Sequence, residues 1–217
     1  METPLLIVNF KTYEKGSGEN AEELAIQAEK VARQEDAEVA VAVQNADIDR
    51  VSDKAEIPVL AQHLDPEGYG SNTGSDVAET LAFNGASGTL INHSEDQVSI
   101  DTIEEDVERA EDAGLETVVC IDDPEMAERV SDYDPDFIAF EPPELIGGEV
   151  SVSDAKPGLV REAVENSSVD VLTGAGVKSR EDVEAALDIG TEGVLVASGV
   201  AKADDPEEAM RGLVSGF

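Results

Sequence analysis

The chain is short of several residue types that whole classes of function require. Basic side chains are few: 14 Lys and Arg stand against 50 Asp and Glu, a formal charge of −36. Nucleic-acid binding needs basic patches that neutralise phosphate, so no nucleic-acid partner is expected. Adsorption to an anionic membrane needs them too, and is excluded on the same ground. A single cysteine, Cys120, rules out an internal disulfide framework and any zinc site built on clustered cysteines. It lies in the apolar run TVVCI, where a small buried residue is the expected role. No run approaches the ~18 apolar residues of a membrane-spanning helix. The segment METPLLIVN carries neither the basic region nor the cleavage site of a signal peptide, so a cytoplasmic protein is expected. No spacing of His, Cys or Asp suggests metal ligands.

What is abundant is acid, spread over polar positions throughout, as in VERAEDAGLE (107–116) and EMAERVSDYD (125–134). Apolar residues still make up 41%, enough for a real core, so the acidity does not imply disorder. Fifty acids exceed what solubility needs. Adaptation to a saline cytoplasm, where a short Debye length screens self-repulsion, accounts for them better.

Eight strand-like runs punctuate the chain: residues 5–9, 38–43, 58–62, 88–92, 116–121, 136–140, 169–173 and 193–197. They are apolar nearly throughout, as parallel strands buried on both faces must be. Helical patterns lie between them at 21–34, 103–114 and 181–190, the last two stopped by Gly114 and Gly190. Ser153, Ser179 and Asp205-Pro206 read as helix starts. The segments after the second and third strands are short for helices. An open doubly wound sheet would carry a glycine fingerprint in its first turn, where this chain has N-F-K-T-Y-E. The alternation therefore predicts an α/β fold, a (β/α)8 TIM barrel of eight parallel strands, with residues 1–217 as one domain. Its length is economical beside the usual ~250 residues.

Three of the runs end in groups that can move a proton or stabilise negative charge: Lys11, His93 and Glu141. Separately, each has a plain explanation as a solvated lysine, a structural histidine or one acid among many. In a barrel, the loops after the C-terminal strand ends form one rim, which brings the three together. Gly174-Ala175-Gly176 and Ala197-Ser198-Gly199 follow the seventh and eighth strands, where barrels often bind phosphate through backbone N–H groups. His63 also lies beyond a strand end and is read as structural.

The motifs N-F-K (9–11), N-H-S-E (92–95), F-E-P-P-E-L-I-G (140–147), G-A-G-V (174–177) and G-V-L-V-A-S-G (193–199) resemble, in this order, those of the triosephosphate isomerase family. The short chain and the E-P-P-E wording look like its archaeal branch. The resemblance implies interconversion of dihydroxyacetone phosphate and D-glyceraldehyde 3-phosphate through an enediolate, without a cofactor. It implies Glu141 as base, neutral His93 as electrophile and Lys11 as fixed cation. A helix beginning near Ser94-Glu95 is expected to keep the imidazole neutral. Asn9 would orient Lys11 or bind substrate, and Glu95 would support from behind. Gly174, Gly176, Ala197 and Ser198 would hold the phosphate, joined by Ile146 or Gly147 from a lid over PPELIGG (142–148). The family's usual Gly-Thr-Gly hinge reads Gly147-Gly148-Glu149 here. A homo-oligomer, tetramer or dimer, is implied as well. A phosphate-sugar barrel without catalysis would explain the glycine loops but not Lys11, His93 and Glu141 together. A barrel enzyme for a longer phosphorylated sugar fits poorly with the short loops.

Overall fold

The computed structural model describes residues 1–142 and 151–217. Eight apolar runs form eight strands: β1 (Leu5–Asn9), β2 (Glu38–Val43), β3 (Val59–Ala61), β4 (Gly88–Ile91), β5 (Glu116–Ile121), β6 (Phe137–Phe140), β7 (Asp170–Thr173) and β8 (Gly193–Val196). Each pairs in parallel with the next, and β8 returns to β1, closing the barrel. The closing seam depends on glycine. Gly193 has φ 153, and a Cβ there would lie 2.1 Å from the Leu5 carbonyl oxygen.

Successive strand side chains point to opposite faces, which splits each apolar run in two. Leu5, Ile7, Ala40, Ala42, Leu60, Leu90, Val118, Cys120, Phe137, Ala139, Leu172 and Leu195 pack together as the barrel interior. Their neighbours Leu6, Val8, Val39, Val41 and Val43 face outward into one helix-packed cluster, and Val119, Ile121, Ile138 and Phe140 into another. The functional rim is this interior ladder carried one step further. Asn9 follows Ile7 by two residues, Gln62 follows Leu60, Glu141 follows Ala139 and Gly174 follows Leu172.

The outer layer contains α1 (Glu19–Glu35), α2 (Ile48–Ser52), α3 (Ala78–Phe83), α4 (Ile100–Asp112), α5 (Met126–Ser131), α6 (Val152–Ala155), α7 (Pro157–Asn166), α8 (Arg180–Ile189), α9 (Ser198–Ala201) and α10 (Pro206–Val214). The buried stripe of α1 is Ala21, Leu24, Ala25, Ala28 and Val31, at the helical spacing that faces a barrel wall. As expected, Ser179 opens α8, with a reciprocal capping box to Asp182, and Gly190 closes it in the left-handed conformation. Asp205 caps α10, its side chain accepting from the Glu208 amide. Ser153 differs from expectation. It lies inside α6 and starts no helix; the longer α7 begins at Pro157 instead. Proline at a helix's first turn pre-sets φ, while the residue before it is pushed out of the helical region. Lys156 sits there at φ −140, ψ 53, dividing α6 from α7.

Candidate active site

Lys11 follows β1 with φ 48, a left-handed conformation that costs a non-glycine residue roughly 1–2 kcal/mol. Its own amide N–H donates to Asn9 Oδ1 at 2.9 Å, which holds the turn. Its side chain is only 10% exposed, and Nζ lies 2.9 Å from Glu95 Oε1. Because Asn9 Oδ1 is committed to the backbone, its Nδ2 is the group left to face a ligand.

His93 follows β4 across another left-handed residue, Asn92, with φ 58. Asn92 staples the rim: Nδ2 donates to the Cys120 carbonyl at 2.8 Å, and Oδ1 accepts from the Val98 amide at 3.0 Å. The chain then turns, the Asp96 amide donating to the His93 carbonyl at 2.7 Å. The helix expected at Ser94-Glu95 starts only at Ile100, where the Ser99 hydroxyl supplies the cap by accepting from the Thr102 amide. Neutrality of the imidazole therefore has another origin. The Glu95 amide donates to Nδ1 at 3.1 Å, so Nδ1 is the unprotonated nitrogen and the ring proton sits on Nε2. Burial, reinforced by the Lys11 charge, lowers the His93 pKa to about 4.

Glu141 leaves β6 with its amide bonded to the Ile121 carbonyl at 2.8 Å and its side chain turned over the barrel interior. His93 and Glu141 are 7% and 5% exposed, and His93 Nε2 lies 3.6 Å from Glu141 Oε2. Burial pushes the Glu141 carboxyl up to about 8, while a hydrogen bond from the Cys120 thiol and the charge of Lys11 pull the other way. The arrangement joins a strongly basic, dry carboxylate to an imidazole N–H aimed at the same space, with an ammonium beside them. Those are the parts for removing a proton from carbon next to a carbonyl and stabilising the oxyanion that forms.

Across the cavity stand the loops after β7 and β8. Gly176 has φ 73, and the first-turn amides of the short α9, at Ser198 and Gly199, have no acceptor within the helix. The cavity between the loops and the three side chains measures about 170 Å³. Pockets for drug-sized ligands measure roughly 300–1,000 Å³, so this space suits a small substrate. Among the described residues no group of three His, Cys, Asp or Glu side chains is placed to hold a metal ion.

The sequence profile described as "TIM: Triosephosphate isomerase" matches residues 4–214. The chain belongs to the triosephosphate isomerase family. It is 46% identical over 219 residues to the triosephosphate isomerase of Methanobacterium bryantii, covering 99% of this chain and 97% of that one. The Methanoculleus marisnigri protein of the same name is 45% identical over 220 residues, with 99% of each chain covered. Among solved structures, the crystal structure of triosephosphate isomerase from Bartonella henselae matches with a TM-score of 0.72 at 23% identity. That match covers 96% of this chain and 98% of the other, and bears on the fold alone.

Of the residues singled out from sequence, this member of the triosephosphate isomerase family brings Asn9, Lys11, His93, Glu95, Glu141, Gly174, Gly176, Ala197 and Ser198 to one cavity. Ile146 and Gly147, with the rest of 143–150, lie outside the described residues. His63 stands at the edge of the site, its Nε2 3.4 Å from Asp76 Oδ2. Cys120 is buried as expected, but it also touches Glu141. Tyr13 and Lys178 line the cavity without having been singled out. Gln62 was also overlooked. The two-residue step from Leu60 was the available signal for it.

Proposed function

We propose that this chain is a triose-phosphate isomerase that interconverts dihydroxyacetone phosphate and D-glyceraldehyde 3-phosphate without a cofactor. The observation that carries the site assignment is the 3.6 Å approach of His93 Nε2 to Glu141 Oε2 in a buried cavity that Lys11 also enters. Glu141 takes the proton from the carbon beside the substrate carbonyl. His93 donates its Nε2–H hydrogen bond to the carbonyl oxygen as negative charge develops there, and Lys11 supplies the fixed positive charge. The proton of the neighbouring hydroxyl passes to the former carbonyl oxygen by way of His93 Nε2, and the enediolate takes the carbon-bound proton back from Glu141 at the neighbouring carbon, leaving the enzyme unchanged. Amides of the Gly174–Gly176 and Ala197–Gly199 segments bind the phosphate.

The reading extends to an archaeal-type enzyme, one barrel domain over residues 1–217, working in a salty cytoplasm as a homo-oligomer, tetramer or dimer. Alignments of nearly full length to chains of similar size support the first point. The excess of 50 acids over 14 bases supports the salty cytoplasm. A coupled assay with glyceraldehyde 3-phosphate, in dilute buffer and in molar KCl, tests the activity. No turnover by folded protein in either medium would remove it. Light scattering across the same salt series gives the oligomeric state.

A further inference from the structure

Gln62 reaches from the end of β3 across the rim to β1. Its Nε2 lies 3.2 Å from Asn9 Oδ1, 3.1 Å from the Lys11 carbonyl oxygen and 3.4 Å from the Ala42 carbonyl oxygen. All three neighbours accept hydrogen bonds, so the amide nitrogen is the end that must face them. Asn9 Oδ1 meanwhile accepts the Lys11 N–H. Lys11 is thus held from both sides, its N–H by Asn9 and its C=O by Gln62. The hold has something to resist, because a lysine at φ 48 sits in a sparsely populated region that persists only where its surroundings over-determine it. Relaxation to extended backbone would swing Nζ away from Glu95 and out of the cavity. Gln62 is anchored in turn, its N–H donating to Asn45 Oδ1 at 3.2 Å while Asn45 Nδ2 donates to the His63 carbonyl at 3.0 Å.

We propose that Gln62 is a positioning residue that holds the Lys11 backbone left-handed so that its ammonium stays in the cavity. This rests on the reading of Lys11 as the cation of a triose-phosphate site. Gln62 lines a recess beside the main cavity, along with Asn9, Lys11 and His93, and its path to the ammonium runs through the Lys11 backbone. Its amide is absent from the lining of the main cavity.

A double-mutant cycle of Gln62→Leu with Lys11→Met tests the proposal, read by kcat/KM and by the affinity for inorganic phosphate. Melting curves verify that each variant is folded, and Gln62→Met, which keeps the chain length, replaces any Gln62→Leu protein that is not. With Lys11 present, loss of the amide should lower kcat/KM by about 10- to 100-fold, the scale of an ångström-sized misplacement. It should weaken phosphate binding in the same direction. With Lys11→Met, both effects should shrink below about threefold, because a residue acting through another loses its effect when that partner is gone. Equal losses in both backgrounds, or unchanged values in the Gln62 variant alone, would overturn the proposal. If the unmodified protein binds phosphate but turns over no triose phosphate, the isomerase reading fails and the phosphate cycle still decides the role of Gln62.

Discussion

Gly174→Ala tests whether the backbone after β7 sets the position of the base. A Cβ at Gly174 would lie 2.9 Å from the Leu195 carbonyl oxygen and 3.0 Å from both Cγ and Oε1 of Glu141. Ordinary contact starts at 3.4 Å, so Glu141 must give by about 0.4 Å or more. Leu195 belongs to β8 and is fixed by its pairing with Ile7, so the backbone at residue 174 must draw back from that carbonyl while the Glu141 side chain gives way to the new methyl. Since a misplacement of 1 Å costs about 100-fold, kcat should fall roughly 10- to 100-fold. The added methyl points at the carboxylate, so KM should change less than kcat. Overpacking of this kind costs about 1–3 kcal/mol, or roughly 2–12 °C of melting temperature for a chain of this length. The coupled assay in both salt conditions gives kcat and KM separately, and a calorimetric scan gives the melting point. A variant with unchanged kcat and only a raised KM would refute the reasoning, because Gly174 would then serve the phosphate alone.

Four further substitutions bear on the same groups and on one buried acid elsewhere. Glu141→Gln should lower kcat by on the order of a thousandfold or more with ligand binding largely kept, and His93→Gln, which retains a donor, should lose less. The order of those losses, from steady-state kinetics, is the check. Because burial raises the folded-state pKa of Glu141 from 4.5 to about 8, the stability from its neutral form is full below about pH 4.5 and is lost progressively as pH rises to about 8. Glu141→Gln should therefore gain stability over the parent across that window, and urea titrations at pH 5 and 8 would detect the difference. Cys120→Ala removes a hydrogen bond that favours the Glu141 carboxylate, so the acid limb of the kcat/KM–pH profile should move upward. Asp106 in α4 is buried with Oδ1 unpartnered, and burial with Asp65, Glu105 and Glu67 nearby raises its pKa to about 7. Stability from its neutral form is full below about pH 3.8 and lost as pH rises to about 7, so Asp106→Asn should gain on the order of 1–3 kcal/mol at pH 8–9 and less than half of that at pH 5. Denaturant unfolding at the two pH values measures this.

The barrel was legible in the sequence because parallel strands buried on both faces leave unbroken apolar runs, and glycines, prolines and caps mark the helices between them. Lys11, His93 and Glu141 were legible because chemistry in a barrel gathers at one end of those runs. The local backbone was harder to read. Nothing in N-F-K marks Lys11 as left-handed, and Asn92 carries only the general tolerance of asparagine for that conformation. The Cys120–Glu141 contact depends on the β5–β6 register, which sets Cys120 opposite Ala139, one inward step below the base. Gln62 and Asn92 were read as strand ends, yet both leave the ladder and spend their amides binding the rim together. No helix begins directly after His93: burial and the Lys11 charge do what a helix dipole was expected to do, and the Glu95 amide at Nδ1 sets the tautomer.

Burial gives the two central side chains opposite pKa shifts with one benefit. Desolvation disfavours charge on either, so His93 stays neutral and remains a hydrogen-bond donor through Nε2, while Glu141 gains proton affinity and becomes the stronger base. Neither shift has the −36 surface as its leading cause, and that separation has a measurable consequence. Added salt shortens the Debye length from about 10 Å at 0.1 M to 3 Å at 1 M, acting on exposed charges far more than on buried ones. Raising KCl from dilute to molar should increase the melting temperature by relieving repulsion among surface carboxylates. Over the same range the acid limb of kcat/KM should move by less than about one pH unit, a 1.36 kcal/mol change in the relative stability of the protonated and ionised base. A melting point flat across the salt series would remove salt adaptation from the reading. A limb that travelled with salt as far as the melting point did would mean that Glu141 senses the surface field, and burial would no longer explain its basicity.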